Sequence, residues 1–564
     1  MVSRIKSNIV LNGLPGSGKS TVGQILASRL HMAFIDTDRL VEETSGECIP
    51  DIFSKYGEPR FRELEAAAIR QASQLRNVVI SIGGGAIMRR ENYHALRETG
   101  TILWLNASIE TLLKRLEGDS SRPLLVPPPG LTKADMLRSL ANARQQVYTE
   151  TADLIVDADA DPRQVADEVM RGLQLTDAPS WELQPESVPV RTRAGRYEVK
   201  VGCGFLVREL VELCRELPNV SKLVIVSNPL VNQLHASVIG TRLCEAGFRT
   251  ELVLVGDGES HKTLETAFKL YDQFVRMGVD RDSVVVAVGG GVTGDVAGFV
   301  AATFMRGIRW LQVPTTLLAQ VDASVGGKVA VDHPAGKNLI GAFHQPVGVV
   351  SDIAAIITLP DRAFAEGMAE AIKTAIIDGQ LFQFIETHAH RVAARDPWVT
   401  TRMVAACARV KSQLVGDDEL DRGPRMLLNL GHTFGHAMEA ALGYSGISHG
   451  EAVAVGTCIA CRLAERIGVA ERGLSERVSE LMRTFGLPTC PAELRVCPSP
   501  ESTLMHMFRD KKSSSGRLRL VIPFAIGDVR VLGDVPNDII KETFRLEWEA
   551  NSVEQVPRHT RSQP

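Results

Sequence analysis

Short apolar runs alternate with longer amphipathic segments over the first ~170 residues, within the ordinary span of one domain. Residues 7–11 (SNIVL), 32–35 (MAFI), 77–82 (NVVISI) and 101–105 (TILWL) are too short for helices. Polar or glycine-rich breaks bound them, so they read as buried strands. Segments such as TVGQILASRL supply the helices between. Residues 174–190 (QLTDAPSWELQPESVP) are polar, carry three Pro and lack periodicity, which reads as a linker. Strand-like runs return at YEVKVG, KLVIVSN and SVVVAVG, and from Leu359 the texture becomes helical, with one late strand, RLRLVIPF. The expected organisation is an α/β chain. An α/β/α domain spans 1–173, a linker 174–190, and a second α/β domain 191–355. An all-helical domain follows at 356–550, and a disordered tail at 551–564.

Composition narrows the class. The 564 residues are 44% hydrophobic and 23% charged, as in soluble globular proteins. A net charge of -4 gives no reason to expect nucleic acid or an anionic membrane as partner. No apolar run reaches the ~18 residues of a membrane-spanning helix. The nine Cys are scattered and MVSRIKSNIV is not a signal peptide, so a reduced, cytoplasmic protein is expected. Cys458 and Cys461 form a CxxC inside AVAVGTCIACRLAERIG, an apolar run, and read as buried structural thiols.

The first chemistry-bearing motif is Gly13-Leu-Pro-Gly16-Ser17-Gly18-Lys19-Ser20-Thr21, between a strand and a helix. This is GxxxxGK[ST] in its required context. Main-chain N–H groups of such a loop hold phosphates, Lys19 reaches the β/γ-phosphates and Ser20 holds Mg²⁺ of ATP. Asp36 and Asp38 leave the second strand where α/β sheets place ligands, suiting Mg²⁺ and an acceptor hydroxyl. Arg62 suits a substrate carboxylate, with Glu65 three residues on to orient it. Gly83-Gly84-Gly85 lets backbone approach a small ligand. Arg122 sits in DSSRPLL before VPPPG, a lid-like stretch, and Arg144 precedes Tyr148 by four residues.

This ensemble closely resembles shikimate kinase over about residues 5–170, which implies a P-loop NMP-kinase-like α/β/α fold for 1–173. The resemblance implies ATP on Gly13, Gly16, Ser17, Gly18, Lys19, Ser20, Thr21 and Arg122. Mg²⁺ falls to Ser20 and Asp36, and shikimate to Asp38, Arg62, Gly84, Gly85 and Arg144. Lys19, Asp36, Asp38 and Arg122 are then the catalytic set. The alternative is another small-metabolite kinase of this fold, such as a gluconate kinase.

In the second half, DGESHKTLET places Glu259 and Lys262 to meet a polar ligand such as an adenosine ribose. The strand SVVVAV breaks into Gly289-Gly290-Gly291 and then an apolar helix, an arrangement that accepts a pyrophosphate. Residues 309–343 carry Thr315, Thr316, Asp322, Lys328, Lys337 and Asn338 in what reads as a Gly-rich loop. Two lysines near an Asn and an Asp suit a phosphorylated, hydroxylated substrate across a nicotinamide. Glu370 and Lys373 share a helix face. His432 and His436, four apart, share another, and His449 follows a glycine-rich turn. Glu370, His432 and His449 make a three-ligand zinc set with an open position, and His436 is cast as a proton-handling group.

These motifs (DGExxK, GGGVTGDVAGF, PTTLLAQVDASVGGK, GKN, EGMAEAIK, LNLGHTFGHA, HGEAVA) together resemble 3-dehydroquinate synthase over about 190–550, which implies a Rossmann-like α/β NAD domain followed by an all-helical metal-binding domain. The resemblance implies a Zn or Co ion on Glu370, His432 and His449. It implies NAD on Glu259, Lys262, Gly290, Gly291, Asp295, Thr315, Thr316 and Lys337. Substrate falls to Asp322, Lys328, Lys337, Asn338, Lys373, Lys411, Arg425, Asn429, His436 and Lys512 or its neighbour Lys511. Lys328, Lys373 and His436 are the catalytic candidates, and a homodimer through this half is implied. Asp421 stands where the family has Glu, and Ser227 and Asn228 where many members have an acid. The family turns 3-deoxy-D-arabino-heptulosonate 7-phosphate into 3-dehydroquinate plus phosphate by alcohol oxidation, elimination, re-reduction and aldol closure. The expected protein is a fused enzyme of aromatic amino acid (chorismate) biosynthesis acting on small molecules. The alternative is a kinase fused to a polyol dehydrogenase or another sugar-phosphate cyclase.

Overall fold

Strand residues alternate between two apolar layers in the first part of the computed structural model. The structure describes residues 6–117, 128–177, 183–193, 195–513, 518–533 and 535–549. The strands β1 (Asn8–Asn12), β2 (Ala33–Asp36), β3 (Val78–Ser81), β4 (Gly100–Asn106) and β5 (Leu154–Asp157) form a sheet in the order β2-β3-β1-β4-β5. All four pairings are parallel. Ile9, Leu11, Val79, Leu103 and Leu105 face one layer with Val22, Leu26, Val165 and Val169 from helices Lys19–Leu30 and Pro162–Gly172. Val10, Ile80, Ile102 and Trp104 face the other, with Ile69, Leu137 and Tyr148 from helices Ile49–Ser73 and Lys133–Thr151. The period-2 alternation of a strand buries both faces, as a parallel sheet requires.

The chain divides into two compact units: 1–182 with 225–261 and 357–360, and 183–224 with 262–356 and 361–564. The strands after the first sheet are β6 (Leu183–Thr192), β7 (Gly195–Cys203), β8 (Leu223–Ser227) and β9 (Thr250–Leu254). They continue with β10 (Val284–Gly289), β11 (Arg309–Pro314), β12 (Lys328–His333), β13 (Gly336–Phe343) and β14 (Gly348–Asp352). The seven-stranded order is β6-β7-β14-β11-β10-β8-β9. Residues 183–190, read from composition as linker, lie in β6, which pairs antiparallel with β7. An edge strand tolerates its two prolines, and Val188 and Val190 are buried. Residues 328–343, read as a loop, form instead the antiparallel hairpin β12–β13.

Among the described residues the remainder is helical except for one further hairpin, β15 (Leu520–Ala525) with β16 (Asp528–Leu532), so it is not all-helical. Helix His449–Arg466 is buried almost all round from Ala452 to Ala464 and is the axis of this part. Cys458 and Cys461 lie inside it, buried. Among the described residues no helix is long and apolar enough to cross a membrane. The tail 551–564 and Arg122 lie outside the described residues.

Candidate active sites

The first unit gathers its polar groups at the C-terminal ends of β1, β2 and β3. Gly18 takes a left-handed conformation (φ 86°) and opens the helix at Lys19. Lys19 Nζ donates to the carbonyls of Gly13 and Leu14 at 2.9 and 3.1 Å, folding back over the loop. Ser20 Oγ donates to Asp36 Oδ2 at 2.7 Å. The other oxygen of Asp36 caps helix Thr37–Ser45, accepting from the N–H of Asp38 and Arg39. The serine and the first aspartate of the motif reading are thus one hydrogen-bonded unit.

Near Asp38 stands the group expected to bind a carboxylate, since a Cβ on Gly83 would lie 2.8 Å from Asp38 Oδ1 and 2.7 Å from Glu65 Oε1. Arg62 donates to Glu65 Oε2 at 2.9 Å and to Glu58, so Glu65 orients it as anticipated. Burial raises the pKa of Glu65, and Arg62 opposes that rise. Arg144 is buried, and a Cβ on Gly84 would lie 3.0 Å from its guanidinium. A Cβ on Gly85 would lie 2.8 Å from both terminal nitrogens of Arg62. Tyr148 donates to the carbonyl of Gly84. The glycines therefore leave room for two arginines beside the P-loop.

In the second unit three helices bring the metal-type donors together. Glu370 lies on helix Asp361–Ile377, His432 opens helix His432–Ala441 and His449 opens helix His449–Arg466. Ser448 caps the last of these in a capping box with Glu451, which sets where His449 points. Gly450 permits the approach: a Cβ there would lie 2.5 Å from Glu366 Cα. Glu370 Oε1 is 3.6 Å from His432 Nε2 and 3.4 Å from His449 Nε2. Donors at ~2.1 Å around a tetrahedral zinc are about 3.4 Å apart, so the set fits such an ion. The donor nitrogens of His432, His436 and His449 also lie within 4.8 Å of one another.

Glu439 was not singled out in the sequence, yet it completes this group. Its Oε2 is 3.2 Å from His449 Nδ1, and its Oε1 accepts from Lys337 Nζ at 3.2 Å. Buried carboxylates of this kind orient a ligating imidazole through its second nitrogen. Its signal was present, since His432, His436 and Glu439 recur at helical spacing. Burial opposes charge on His449, but Glu370 and Glu439 on its two nitrogens outweigh it and lift its pKa to about 10. Burial and the nearby Lys373 push His432 down to about 3.

Buried charges continue away from the histidines. Lys373 Nζ is 2.5 Å from Glu370 Oε2, and Lys411 Nζ is 2.6 Å from Asp322 Oδ1. Burial disfavours the Asp322 carboxylate, but Lys411 and Lys373 hold it down to about 2. Lys411 shifts down as well, to about 8, because burial, Arg425 and Lys373 outweigh its single anion. A cavity of ≈ 530 Å³ is lined by Asp295, Asp322, Lys328, Asn338, Lys411 and Arg425 among others. A second, of ≈ 620 Å³, is lined by Asn429, His432, His436, Tyr444 and His506 among others.

The residues expected at the cofactor make the following contacts. Lys262 Nζ is 2.5 Å from Asp295 Oδ2 and donates to Asn338 Oδ1 at 2.5 Å. Gly290 caps helix Gly291–Thr303, and a Cβ on it would lie 3.1 Å from Thr316. The N–H of Thr315 donates to the carbonyl of Gly289. Glu259 stands in the short turn Glu259–His261 of the first unit. Lys337, expected at both cofactor and substrate, is held by Glu439 beside the histidines, 5.3 Å from the Tyr444 ring. Asp421, though shorter than Glu, reaches Lys328 at 2.6 Å. The side chains of Lys511 and Lys512 lie outside the described residues.

Comparison with known proteins assigns each part. A shikimate kinase family model matches residues 15–174. Models for the 3-dehydroquinate synthase N-terminal and C-terminal regions match 252–366 and 367–513. The 3-dehydroquinate synthase of Vibrio atlanticus is 43% identical over 360 residues, 64% of this chain and 98% of the relative. That of Pelotomaculum thermopropionicum is 43% identical over 358 residues, 63% and 95% of the two chains. A solved 2-deoxy-scyllo-inosose synthase complexed with carbaglucose-6-phosphate, NAD+ and Co2+ has a TM-score of 0.59 at 25% identity. It covers 64% of this chain and 100% of its own. A 2-epi-5-epi-valiolone synthase from Streptomyces hygroscopicus with NAD+ and Zn2+ has a TM-score of 0.57 at 26% identity, over 63% and 97% of the chains. The 3-dehydroquinate synthase family matches, and identities well above those of the two solved cyclases, do not favour the alternative of a polyol dehydrogenase or another cyclase. The chain belongs to the 3-dehydroquinate synthase family, with a shikimate kinase fused ahead of the synthase in the same polypeptide.

Proposed function

We propose that the synthase reaction runs at Glu370, His432 and His449 with a bound divalent ion, and that NAD lies along the glycine turn at 289–291. The observation that carries this is the convergence of Glu370 Oε1 on both imidazole nitrogens at 3.4 and 3.6 Å. The two solved cyclases hold NAD+ with Co2+ or Zn2+, which supports the pairing of groups. An ion at this position supplies a Lewis acid for the alcohol and ketone oxygen of the substrate. NAD supplies the hydride acceptor and donor. The chain's own residues do the remainder. Lys328, Lys411 and Arg425 hold the carboxylate and phosphate of 3-deoxy-D-arabino-heptulosonate 7-phosphate, with Asp322 and Asn338 on its hydroxyls. His436 handles the proton at its ring nitrogen, and Lys373 fixes the Glu370 carboxylate. The helix N-terminus at Gly291 favours the cofactor's pyrophosphate.

In the kinase, Lys19 and the loop N–H groups hold the phosphates of ATP, Ser20 and Asp36 hold Mg²⁺, and Asp38 orients the acceptor hydroxyl. Arg62 and Arg144, spaced by Gly84 and Gly85, hold the shikimate carboxylate. The nine free thiols support a reducing, cytoplasmic setting. Helix Leu264–Arg276 exposes Leu264, Phe268 and Val275 at 47, 64 and 68%, a stripe that supports homodimerisation through the synthase half.

Glu370→Gln and His432→Ala test the metal assignment in the full chain. Both lose bound metal, and phosphate release falls on the order of 100-fold or more, while shikimate phosphorylation stays at the wild-type rate. Full metal content with undiminished phosphate release in either variant contradicts the assignment.

A further inference from the structure

β2 is the outermost strand of the five-stranded sheet, and an edge strand leaves main-chain N–H groups without a strand partner. The N–H of Asp36, its last residue, donates instead to Gln233 Oε1 at 3.1 Å, across 197 positions of sequence. Gln233 stands in Asn232–Ala236, five residues of π-helix between helices Pro229–Val231 and Ser237–Glu245. Such wide turns re-aim side chains and recur at functional sites. This stretch belongs to the same compact unit as residues 1–182.

The attachment is more than one bond. Gln233 Nε2 donates to Glu43 Oε2 at 3.3 Å, and Asn232 Nδ2 to Glu43 Oε1 at 3.0 Å. Glu43 lies on helix Thr37–Ser45, the helix that Asp36 caps. Asn228 caps the start of the segment, accepting from Val231 N–H at 2.8 Å. Leu230 and Leu234 pack on the apolar core behind the P-loop sheet, and Leu230 also on the cluster of Leu40, Val41 and Ile52. One amide thus holds both the end of β2 and the helix leaving it. The Asp36 carboxylate between them accepts from Ser20.

We propose that Gln233 is a positioning residue for phosphoryl transfer by the N-terminal kinase. It touches neither ATP nor shikimate. It fixes the main chain of Asp36 so that the carboxylate faces Ser20 and the Mg²⁺ of the nucleotide. A residue numbered within the synthase half is thereby part of the kinase's working structure. The inference rests on the reading of Asp36 as a Mg²⁺-side residue given above.

The test uses the full chain with Gln233→Met, which keeps length and removes the acceptor. Shikimate phosphorylation is followed against Mg²⁺ at saturating ATP and shikimate, with Asp36→Asn measured in parallel. Loss of one main-chain hydrogen bond predicts a rise of about 3- to 10-fold in half-saturating Mg²⁺, with turnover at saturating Mg²⁺ retained. Release of phosphate by the synthase is unchanged. Amide exchange of the peptide over residues 33–39 accelerates in the same variant, a direct reading of the lost bond. An unchanged Mg²⁺ titration, with Asp36→Asn impaired, overturns the inference and leaves the site reading standing. Asp36→Asn with wild-type kinase activity overturns the site reading and this inference with it. Loss of kinase turnover at every Mg²⁺ concentration, with the synthase intact, also overturns it, because that marks collapse of the kinase fold.

Discussion

Lys411, a proposed substrate contact, is expected to set an alkaline limit on the synthase. Burial brings its pKa to about 8, so it is cationic below that pH and neutral above it. In the proposed site its charge serves a substrate bearing phosphate and carboxylate. The expected outcome is that kcat/KM for the heptulosonate phosphate falls as pH rises through about 8. Lys411→Arg moves that fall upward, since a guanidinium keeps its proton. A pH profile of both proteins checks this, and identical alkaline limbs speak against it. Glu439 makes a second residue-scale prediction. Glu439→Gln leaves the three ligands in place but weakens the hold on His449 Nδ1, lowering metal affinity by about 10- to 100-fold in a metal-competition titration. Glu370, His432 and His449, the proposed ligands, stood out in the sequence by type and spacing, and the structure brings the three together. Glu439 shares the helical spacing of His432 and His436, but a carboxylate near the end of a helix reads as an ordinary surface group until its burial is seen. Lys337, expected at both cofactor and substrate, pairs across 102 residues with Glu439, a contact its sequence neighbours do not announce.

At the scale of elements, helix crossings decide where the donors meet. Gly450 lets helix His449–Arg466 lie against helix Asp361–Ile377, and a methyl there would meet Glu366 Cα at 2.5 Å. Overpacking of this sort costs about 1–3 kcal/mol and displaces backbone. Gly450→Ala is expected to lower thermal stability and separate His449 from Glu370, so that bound metal falls with phosphate release. Metal analysis alongside a melting curve checks both at once. Gly85→Ala acts in the kinase, where a Cβ would press on Arg62 at 2.8 Å. Its expected signature is a raised KM for shikimate with ATP binding unchanged. The strand–loop–helix of the P-loop and the strand breaking at 289–291 were legible, because glycine after a buried β-branched run admits few other structures. β6 and the β12–β13 hairpin were not. Two prolines conceal β6 and polar residues conceal the hairpin. A strand at a sheet edge or in a two-stranded ribbon lacks the apolar run that marks a buried one.

For the whole molecule, two activities share one chain but draw on separate side-chain sets. Lys19→Met is expected to abolish shikimate phosphorylation and leave phosphate release by the synthase at its wild-type rate. Loss of both rates would show that the two are not chemically independent. The measurement that tests the account most directly is phosphate release from 3-deoxy-D-arabino-heptulosonate 7-phosphate by the full chain, with and without NAD, before and after chelation of metal. The account predicts release that requires both NAD and the divalent ion, restored by adding Zn²⁺ or Co²⁺, with no net NADH formed. Release that persists in the folded, metal-stripped protein, or that leaves NADH behind in proportion to product, would contradict it.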